Sequence, residues 1–464
     1  MKKINIIIIL LFLIFSLLVG SKHEPWFDEA QSWMIARDAS YFDIIWTLSR
    51  YEGTMPLWQF TLKFFISMGI TYEYFFIVPI VVSLIGLVVF LKKVETPVYV
   101  KILLPFTYYI FYQYTIVARS YCYLLLGFSL VLITYKNRFK EPLKYILALA
   151  FLSLISMHGT IIFVCLGILF FIEKLRKKEF KSCIKEFIIF IVILIVEFAI
   201  LFPSSDLYMT VSAAFSIPEI VKSILFVISG GENIFFKVYN ILAFFILLFL
   251  FIKTCFLKNK DIPIITSIVF LFMFSIRFAT HHGGIIFYLI IFGILAYYEE
   301  LKECSKHFEK LFLIVLTLYS ILSIQSGIND VVLEYSGAKE MATYIKEKCY
   351  HEKELFGFGY LDVSLQPYFE EKLYKNMDET VYKWSINNRD FYMYCNFEQY
   401  KKEDFTEIPE YIVVNWDENN EKSVMIEKMI MDTEKYEVEY RTIGYKIFKN
   451  YHSGTEGYTL YKLK

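Results

Sequence analysis

Long apolar runs recur along the first two thirds of the chain, and they constrain the fold more than any other feature. About 20 apolar residues cross a bilayer as a helix, and 57% of the 464 residues are hydrophobic, against roughly 45–50% in soluble domains. We therefore expect a polytopic α-helical membrane protein with about eleven transmembrane helices. The predicted spans are 4–20, 74–91, 102–115, 120–135, 145–157, 159–173, 186–202, 235–252, 262–276, 285–298 and 311–326.

The first run needs a decision between a membrane span and a cleaved signal peptide. It has a basic start at Lys2 and Lys3 and small residues, Gly20 and Ser21, at its end. Its apolar core exceeds the usual ~7–15 residues of a signal peptide, and many further spans follow. We interpret it as a retained first helix.

Basic residues occupy every second loop between the predicted spans, which gives an orientation. The positive-inside rule assigns these loops to the cytoplasm, so we expect the N-terminus inside and the C-terminal tail outside the cytoplasmic (plasma) membrane. The apolar piece 56–69 carries Lys63 and would invert this pattern if it crossed. It is better interpreted as an amphipathic helix at the outer interface. The first external loop then covers 21–73, and 203–234 forms a second long external loop.

The total charge is balanced, with 47 Lys and Arg against 47 Asp and Glu. This balance gives no argument for a nucleic-acid partner, and we expect none; membrane lipids surround the predicted spans. From residue 327 the chain becomes polar, with a helical pattern at 337–349, apolar segments typical of buried strands at 354–360 and 410–416, and segments typical of closing strands at 440–451 and 458–464. We expect residues 1–326 to form the transmembrane domain and 327–464 to form an extracytoplasmic soluble α/β domain, which is a normal domain length. Cys349 and Cys395 lie in this tail, where one disulfide and two free thiols are both open.

Two adjacent carboxylates, Asp28 and Glu29, stand where the chain leaves the first span, in the segment "HEPWFDEAQSWMIARD". Asp28 followed by Gln31 fits a helix cap, yet one carboxylate can bond the backbone while its neighbour faces a cavity. Charged groups at membrane depth normally pair or face a cavity. The other predicted external turns supply cations and imidazoles, namely Arg119, His158, Arg277, His281 and His282.

Each of these residues also has a purely structural interpretation. Arg119 fits a side chain that extends to lipid headgroups, and His158 fits a hydrogen-bonded residue at a helix interface. His281 and His282 lack the i, i+4 spacing that places two imidazoles on one helical face. Together, however, the carboxylates and the opposing cations suit transfer of a group from a lipid phosphate. A carboxylate takes the proton of an acceptor hydroxyl, and arginine binds phosphate through a fixed fork of donors.

The order of these motifs resembles the GT-C superfamily of polyprenyl-phosphate-sugar glycosyltransferases, in the bacterial branch related to protein O-mannosyltransferases and lipid A aminoarabinose transferases. The matching pieces are "WFDEAQSWMIARD", "EGTMPLWQFTLKFF", "ARSYCYLLLGFSLVL", "SMHGT" and "RFATHHGGIIFYLII". The resemblance covers roughly residues 4–326, and the order of the pieces is more specific than any one of them. It implies a GT-C type fold and an inverting glycosyltransferase that moves a sugar from a polyprenyl phosphate to a hydroxyl of a cell-surface glycan, lipid or protein.

The resemblance also implies roles for individual residues. Asp28 falls on the catalytic base, and Arg119 falls on the residue that holds the donor phosphate, with Lys63 or Arg277 assisting. Glu29, Glu52 and His158 are expected to bind or orient the acceptor. A divalent metal ion is an open cofactor, with Glu29, Glu52, His281 and His282 as candidate ligands. The family usually has "EGHPPL" in the second piece, whereas this chain has Thr54 and Met55 there, which puts any role of that histidine in doubt.

Two other functions fit a chain of this kind. A transporter or flippase for a lipid-linked glycan should show paired repeats and charges near mid-span, whereas here the charges gather at one predicted face. A non-catalytic envelope-assembly protein would use the tail to bind partners and would not need Asp28.

Overall fold

The computed structural model describes residues 2–207, 225, 228, 234–257, 264–269, 280–359, 363–377, 379–381, 383–385, 409–416, 421–449 and 451–464. Arg277 and Cys395 lie outside the described residues, as do most of the predicted span 262–276 and most of the loop 203–234. The two alternatives for Cys349 and Cys395, one disulfide or two free thiols, and the phosphate role of Arg277 are therefore untested.

Helices follow the apolar runs through the N-terminal two thirds of the chain. The longer ones are α1 Lys3–Gly20, α2 Phe27–Asp38, α3 Leu57–Ser67, α4 Ile77–Lys93, α5 Leu124–Tyr135, α6 Pro142–Ser153, α7 Met157–Arg176, α8 Ile184–Leu201, α9 Ile234–Cys255, α10 Gly283–Ala296 and α11 Phe308–Val332. Short helical segments lie at Tyr41–Asp43, Ile44–Leu48, Ser49–Glu52, Tyr72–Tyr74, Val98–Leu103, Leu104–Phe106, Tyr109–Ile116, Ser120–Tyr123, Phe180–Cys183, Thr280–His282 and Tyr298–Cys304.

Five of the helices among the described residues are long and apolar enough to cross a membrane. They are α1, Tyr72–Lys93, α7, α9 and α11. A sixth span results if α10 and Tyr298–Cys304, which meet at an angle of 74°, are counted together. The molecule is mostly helical and consistent with a membrane-embedded protein. The count of eleven spans is not confirmed.

Physical reasons for the shortfall are visible in two of the remaining runs. The run at 102–115 contains Pro105, which has no N–H to donate and interrupts an α-helix. The chain there divides into an α-helical turn, a 3₁₀ turn and a π-helix, Tyr109–Ile116. In α8, Lys185 and Glu186 lie in the first turn and Glu197 lies near the end, so charged residues shorten the apolar stretch between them.

The first loop between spans contains α2 and α3, which pack against each other. Their shared core includes Trp33, Met34, Trp58 and Leu62. Helix α3 has 11 residues, about 17 Å at 1.5 Å per residue, which is too short for a hydrocarbon core of about 30 Å. Helices α5 and α6, with 12 residues each, are almost as short, so this length does not separate α3 from the predicted spans, and the prediction that residues 56–69 do not span the membrane stays a prediction.

The C-terminal part contains a four-stranded sheet with helices against both faces. The strands are β1 Leu355–Phe358, β2 Tyr411–Trp416, β3 Tyr436–Thr442, β4 Tyr445–Phe448, β5 Tyr451–Thr455 and β6 Gly457–Leu463. The sheet order is β1-β2-β6-β3, with β1 and β2 parallel and the other pairs antiparallel, while β4 and β5 form a separate hairpin. The helices are α12 Ala338–Glu347 and α13 Glu421–Met431, with 3₁₀ turns at Tyr350–Glu352 and Gln366–Tyr368.

Alternation along β2 explains the two covered faces of the sheet. Tyr411 and Val413 belong to the core that includes α12, whereas Ile412 and Val414 belong to the core that includes α13. Successive strand residues point to opposite faces, so a continuous apolar strand requires cover on both sides. The β4–β5 hairpin lies against the helical part of the molecule and not in the four-stranded sheet. At its turn, the backbone N–H of Lys449 donates to the hydroxyl of Tyr108 at 2.9 Å.

Candidate functional site

The start of α2 separates the two adjacent carboxylates of the first loop. Trp26 is extended and precedes the helix, so Asp28 and Glu29 both lie in the first turn. The Glu29 carboxylate accepts from the backbone N–H of Trp26 at 3.1 Å, whereas Asp28 forms an ion pair with Arg119. Asp28 is therefore not the helix cap: Trp26 occupies that position, and the side chain of Glu29, the third helical residue, reaches back to its N–H.

Asp28, Arg119 and His281 form a connected group from three distant parts of the chain. Nη1 of Arg119 lies 2.9 Å from Oδ2 of Asp28 and 3.0 Å from Nε2 of His281. Arg119 precedes the short helix Ser120–Tyr123 with extended backbone, and its guanidinium lies over the ring of Tyr121, 5.7 Å from the centroid. Burial opposes the charge of the guanidinium, but the neighbouring groups Asp28, Tyr121, Glu29 and Glu52 together outweigh burial and raise the pKa of Arg119.

The imidazoles of three histidines lie side by side behind Arg119. The ring centroids of His281 and His282 are 4.3 Å apart, and those of His282 and His158 are 4.5 Å apart. Burial, followed by the positive charge of Arg119, lowers the pKa of His281 well below its ordinary value. A guanidinium only donates, so Nε2 of His281 accepts and this imidazole is neutral.

Glu52 lies next to this group. Nε2 of Gln31 donates to its Oε1 at 3.2 Å, and its carboxyl interacts electrostatically with Asp28 and Arg119. Burial raises the pKa of Glu52 to about 7, and the neighbouring Asp28 charge adds to the rise. This carboxyl is therefore partly protonated near neutral pH, which allows it to donate as well as accept a hydrogen bond.

Glu29 is engaged in a buried network rather than exposed to a substrate. Its side chain is fully buried; Oε1 accepts from the backbone N–H of Ala118 at 2.5 Å and Oε2 contacts Nε2 of His23 at 3.0 Å. The other ring nitrogen of His23 lies 2.8 Å from Oδ2 of Asp330. Burial lowers the pKa of His23, but the carboxylates of Asp330 and Glu29 outweigh it and raise the pKa well above its ordinary value. His23 is thus an imidazolium held between two carboxylates.

Lys63 lies at the opposite end of α2 from Asp28. Its ammonium donates to the backbone carbonyls of Ala36 and Ala39 at 3.0 and 2.8 Å. The last carbonyls of a helix have no partner within the helix, and the packing of α3 on α2 brings Lys63 to them. This position gives no support to the prediction that Lys63 binds the donor phosphate.

Sequence reasoning placed Asp28, Arg119, His158, His281 and His282 on one side of the membrane, and the structure brings these five side chains together. Sequence reasoning gave no site role to His23 or Asp330, or to Glu456, whose carboxylate accepts from the backbone N–H of Phe27 at 3.3 Å. One signal was present, because His23 follows the first apolar run and Asp330 follows the last, where charged groups tend to pair. Glu456 has no comparable signal.

No group of three or more His, Cys, Asp and Glu side chains is arranged to hold a metal ion in the part of the chain that the structure describes. Of the candidate ligands, Glu29 bonds to the backbone and His23, while His281 and His282 pack by their rings. The described side chains therefore give no support to a divalent metal ion at this site.

Comparison with protein-family models, with curated proteins and with solved structures gives no match to this chain.

Proposed function

We propose that the chain is an inverting glycosyltransferase of the GT-C type, which moves a sugar from a polyprenyl-phosphate donor to a hydroxyl of a cell-surface glycan, lipid or protein. The proposal rests chiefly on the group formed by Asp28, Arg119 and His281, with contacts of 2.9 and 3.0 Å. A base for the acceptor and a cation for the departing phosphate are the two charges that such a transfer requires.

The proposed topology has eleven spans, an N-terminus inside and the C-terminal sheet region outside the cytoplasmic membrane. The site supports it in a way that is independent of loop charges. Asp28, Arg119, His158 and the pair 281–282 come from four different predicted external turns, and they meet at one place. Residues from alternate loops converge in this way when those loops share one side of the membrane.

In the proposed reaction, Asp28 takes the proton of the acceptor hydroxyl as its oxygen attacks the anomeric carbon. The bond between that carbon and the phosphate oxygen breaks, and its electron pair leaves with the polyprenyl phosphate. Attack opposite the leaving group inverts the anomeric configuration. Arg119 stabilises the added charge on the phosphate, since guanidinium groups bind phosphate oxygens through paired N–H donors.

The ion pair with Asp28 has a consequence for the order of events. Arg119 contacts both Asp28 and His281 through Nη1, and a donor phosphate competes with Asp28 for the guanidinium. Binding of the donor weakens the ion pair, and Asp28 becomes a better proton acceptor when its compensating cation is shared. Neutral His281 holds the guanidinium without adding a second positive charge. No step in this scheme requires a metal ion.

Glu52 and His158 suit the acceptor side of the reaction. The Glu52 carboxyl lies near Asp28, and burial raises its pKa to about 7, so it can hydrogen-bond a sugar or protein hydroxyl in either protonation state. His158 contacts the same histidine cluster from the start of α7.

The proposal is tested with membranes that contain either the wild-type protein or Asp28→Asn. The donors are a panel of undecaprenyl-phosphate-linked hexoses and pentoses, and release of undecaprenyl phosphate is measured in the presence of the cell-envelope fraction. Asp43→Asn is the matched control, because Asp43 lies in the same loop and bonds to Ser40. We expect Asp28→Asn to lose release by about 10²–10⁴-fold while Asp43→Asn retains it. Equal release from all three proteins would contradict the proposal and favour a transporter or an assembly protein.

A further inference from the structure

The first two backbone N–H groups at the start of α2 bond to carboxylates from different parts of the chain. Glu29 accepts from Trp26 at 3.1 Å, and Oε2 of Glu456 accepts from Phe27 at 3.3 Å. N–H groups at a helix start have no partner within the helix, so these contacts determine where α2 begins. Asp28 is the next residue, and its position follows from theirs.

Glu29 also holds the segment that carries Arg119. Its second oxygen accepts from the backbone N–H of Ala118 at 2.5 Å. One carboxylate therefore joins a residue two positions before Asp28 to the residue directly before Arg119. The separation between the Asp28 carboxylate and the Arg119 guanidinium depends on this connection.

Glu456 is itself held rigidly within the C-terminal part. It lies between β5 and β6 and is fully buried. Its Oε1 accepts from the hydroxyls of Ser336 at 2.9 Å and Tyr458 at 3.2 Å. Its backbone N–H donates to Gly444, and its carbonyl accepts from Gly337. A carboxylate with this many fixed partners has little freedom to follow a shift of α2.

A second connection to the same helix start comes through the end of α11. Asp330 contacts His23, which in turn contacts Glu29 at 3.0 Å. The ring of Tyr335, in the segment that leads into the C-terminal part, lies against His23 with centroids 4.6 Å apart. The start of α2 is thus held from the C-terminal side at both Trp26 and Phe27.

We propose that Glu29 and Glu456 are positioning residues for the transfer reaction and that the C-terminal sheet region is part of the catalytic unit. Glu456 orients the start of α2, and Glu29 fixes the distance between Asp28 and Arg119. The inference rests on the proposed function, in which these two charges act on acceptor and donor. It also gives the C-terminal part a role other than recruitment of partners.

The experiment compares Glu456→Ala, Glu456→Gln and Glu29→Gln with the wild-type protein, each purified and reconstituted in vesicles. Glu427→Gln is the control, since Glu427 bonds to Arg441 and Thr459 on β3 and β6. Undecaprenyl-phosphate-linked sugars and the cell-envelope fraction are the probes, and kcat is determined per folded molecule together with the donor KM. Hydrogen exchange of the amides of residues 24–34 is followed by mass spectrometry.

We expect Glu456→Ala to lower kcat by about 10–100-fold, because a displacement of about 1 Å has consequences of this size, with a donor KM within about threefold of wild type. Glu456→Gln should recover most of this loss, because an amide oxygen still accepts from Phe27. Glu29→Gln should not recover, because one of its two accepting atoms becomes a donor that faces another N–H. Exchange of the Phe27 amide should rise in Glu456→Ala and stay at the wild-type rate in Glu427→Gln.

Two results separate this inference from the proposed function. A wild-type kcat in Glu456→Ala, with Asp28→Asn inactive, would overturn the positioning role and leave the transferase intact. Full activity of Asp28→Asn would overturn both. A lower yield of folded Glu456→Ala with unchanged kcat per folded molecule would reduce Glu456 to a structural residue, and this also contradicts the inference.

Discussion

Replacement of His23 by leucine should destabilise the protein strongly, because His23 compensates two buried carboxylates. The imidazolium lies between Glu29 at 3.0 Å and Asp330 at 2.8 Å, and all three side chains are buried. His23→Leu leaves two carboxylates without the cation that compensates them. Removal of one partner of a buried ion pair typically costs about 3–5 kcal/mol, and the same range is expected here for the free energy of unfolding.

Asp330→Asn separates this charge effect from a loss of packing. Asparagine keeps an oxygen that accepts from Nδ1 of His23 but removes the negative charge, so the single change should cost about 1 kcal/mol, which is the difference between a neutral and a charge-assisted hydrogen bond. In the double variant, which combines His23→Leu with Asp330→Asn, only the Glu29 carboxylate lacks a compensating cation. The loss of unfolding free energy in the double variant should therefore be smaller than the sum of the two single losses, by about 0.5–3 kcal/mol.

The measurement is equilibrium unfolding in mixed detergent micelles, followed by near-ultraviolet circular dichroism for the four proteins of this cycle. The pH dependence provides a second check. Because the pKa of His23 is raised in the folded state, its stabilising contribution is complete below the ordinary value of 6.5 and is lost as pH rises through the raised pKa. The difference between wild type and His23→Leu should shrink at high pH. Additive costs within about 0.5 kcal/mol, together with a difference that does not depend on pH, would refute the reasoning.

Three further changes test other parts of the structure. Lys63→Met removes two hydrogen bonds from the end of α2 and should lower the unfolding midpoint with an unchanged donor KM. A raised donor KM would indicate that Lys63 binds the donor phosphate. Glu52→Gln should raise the unfolding midpoint relative to wild type, and more at pH 8 than at pH 5. The pKa of Glu52 is raised to about 7 in the folded protein, so the wild type loses stability as pH rises from about 4.5 to about 7. An equal difference in midpoint at both pH values would contradict this. Gly86→Leu should reduce the yield of monodisperse protein in size-exclusion chromatography, because a Cβ at Gly86 would lie 2.8 Å from the backbone nitrogen of Leu126; Ile85→Ala, at a position that is 51% exposed, is the control and should leave the yield unchanged.

The positions of the helices and strands were largely predictable, since each depends on a local pattern. The apolar runs coincide with α1, α4 and α7 within a few residues, and the apolar segment at 410–416 coincides with β2. The lengths of the spans were less predictable. A run of apolar residues does not reveal that Pro105 divides it or that a helix bends by 74° after Ala296, because those features depend on local geometry that hydrophobicity does not report.

The site was predictable only as a set of residues on one side of the membrane. The sequence pattern does not distinguish which of Asp28 and Glu29 bonds to the backbone at the start of α2, because both lie in the first turn and the choice depends on Arg119 and Ala118 about 90 residues away. The contact between Phe27 and Glu456 joins residues separated by 429 positions. No local period reports such a contact, so it becomes visible only in the folded molecule.

The central claim is that Asp28 takes the acceptor proton while Arg119 holds the phosphate. Its most direct test is the single-turnover rate of sugar transfer from a saturating undecaprenyl-phosphate-linked donor to the cell-envelope fraction, measured for purified wild type and Asp28→Asn. The account predicts a rate at least about 100-fold lower in Asp28→Asn, with the donor still bound through Arg119. A single-turnover rate equal to that of wild type would contradict it.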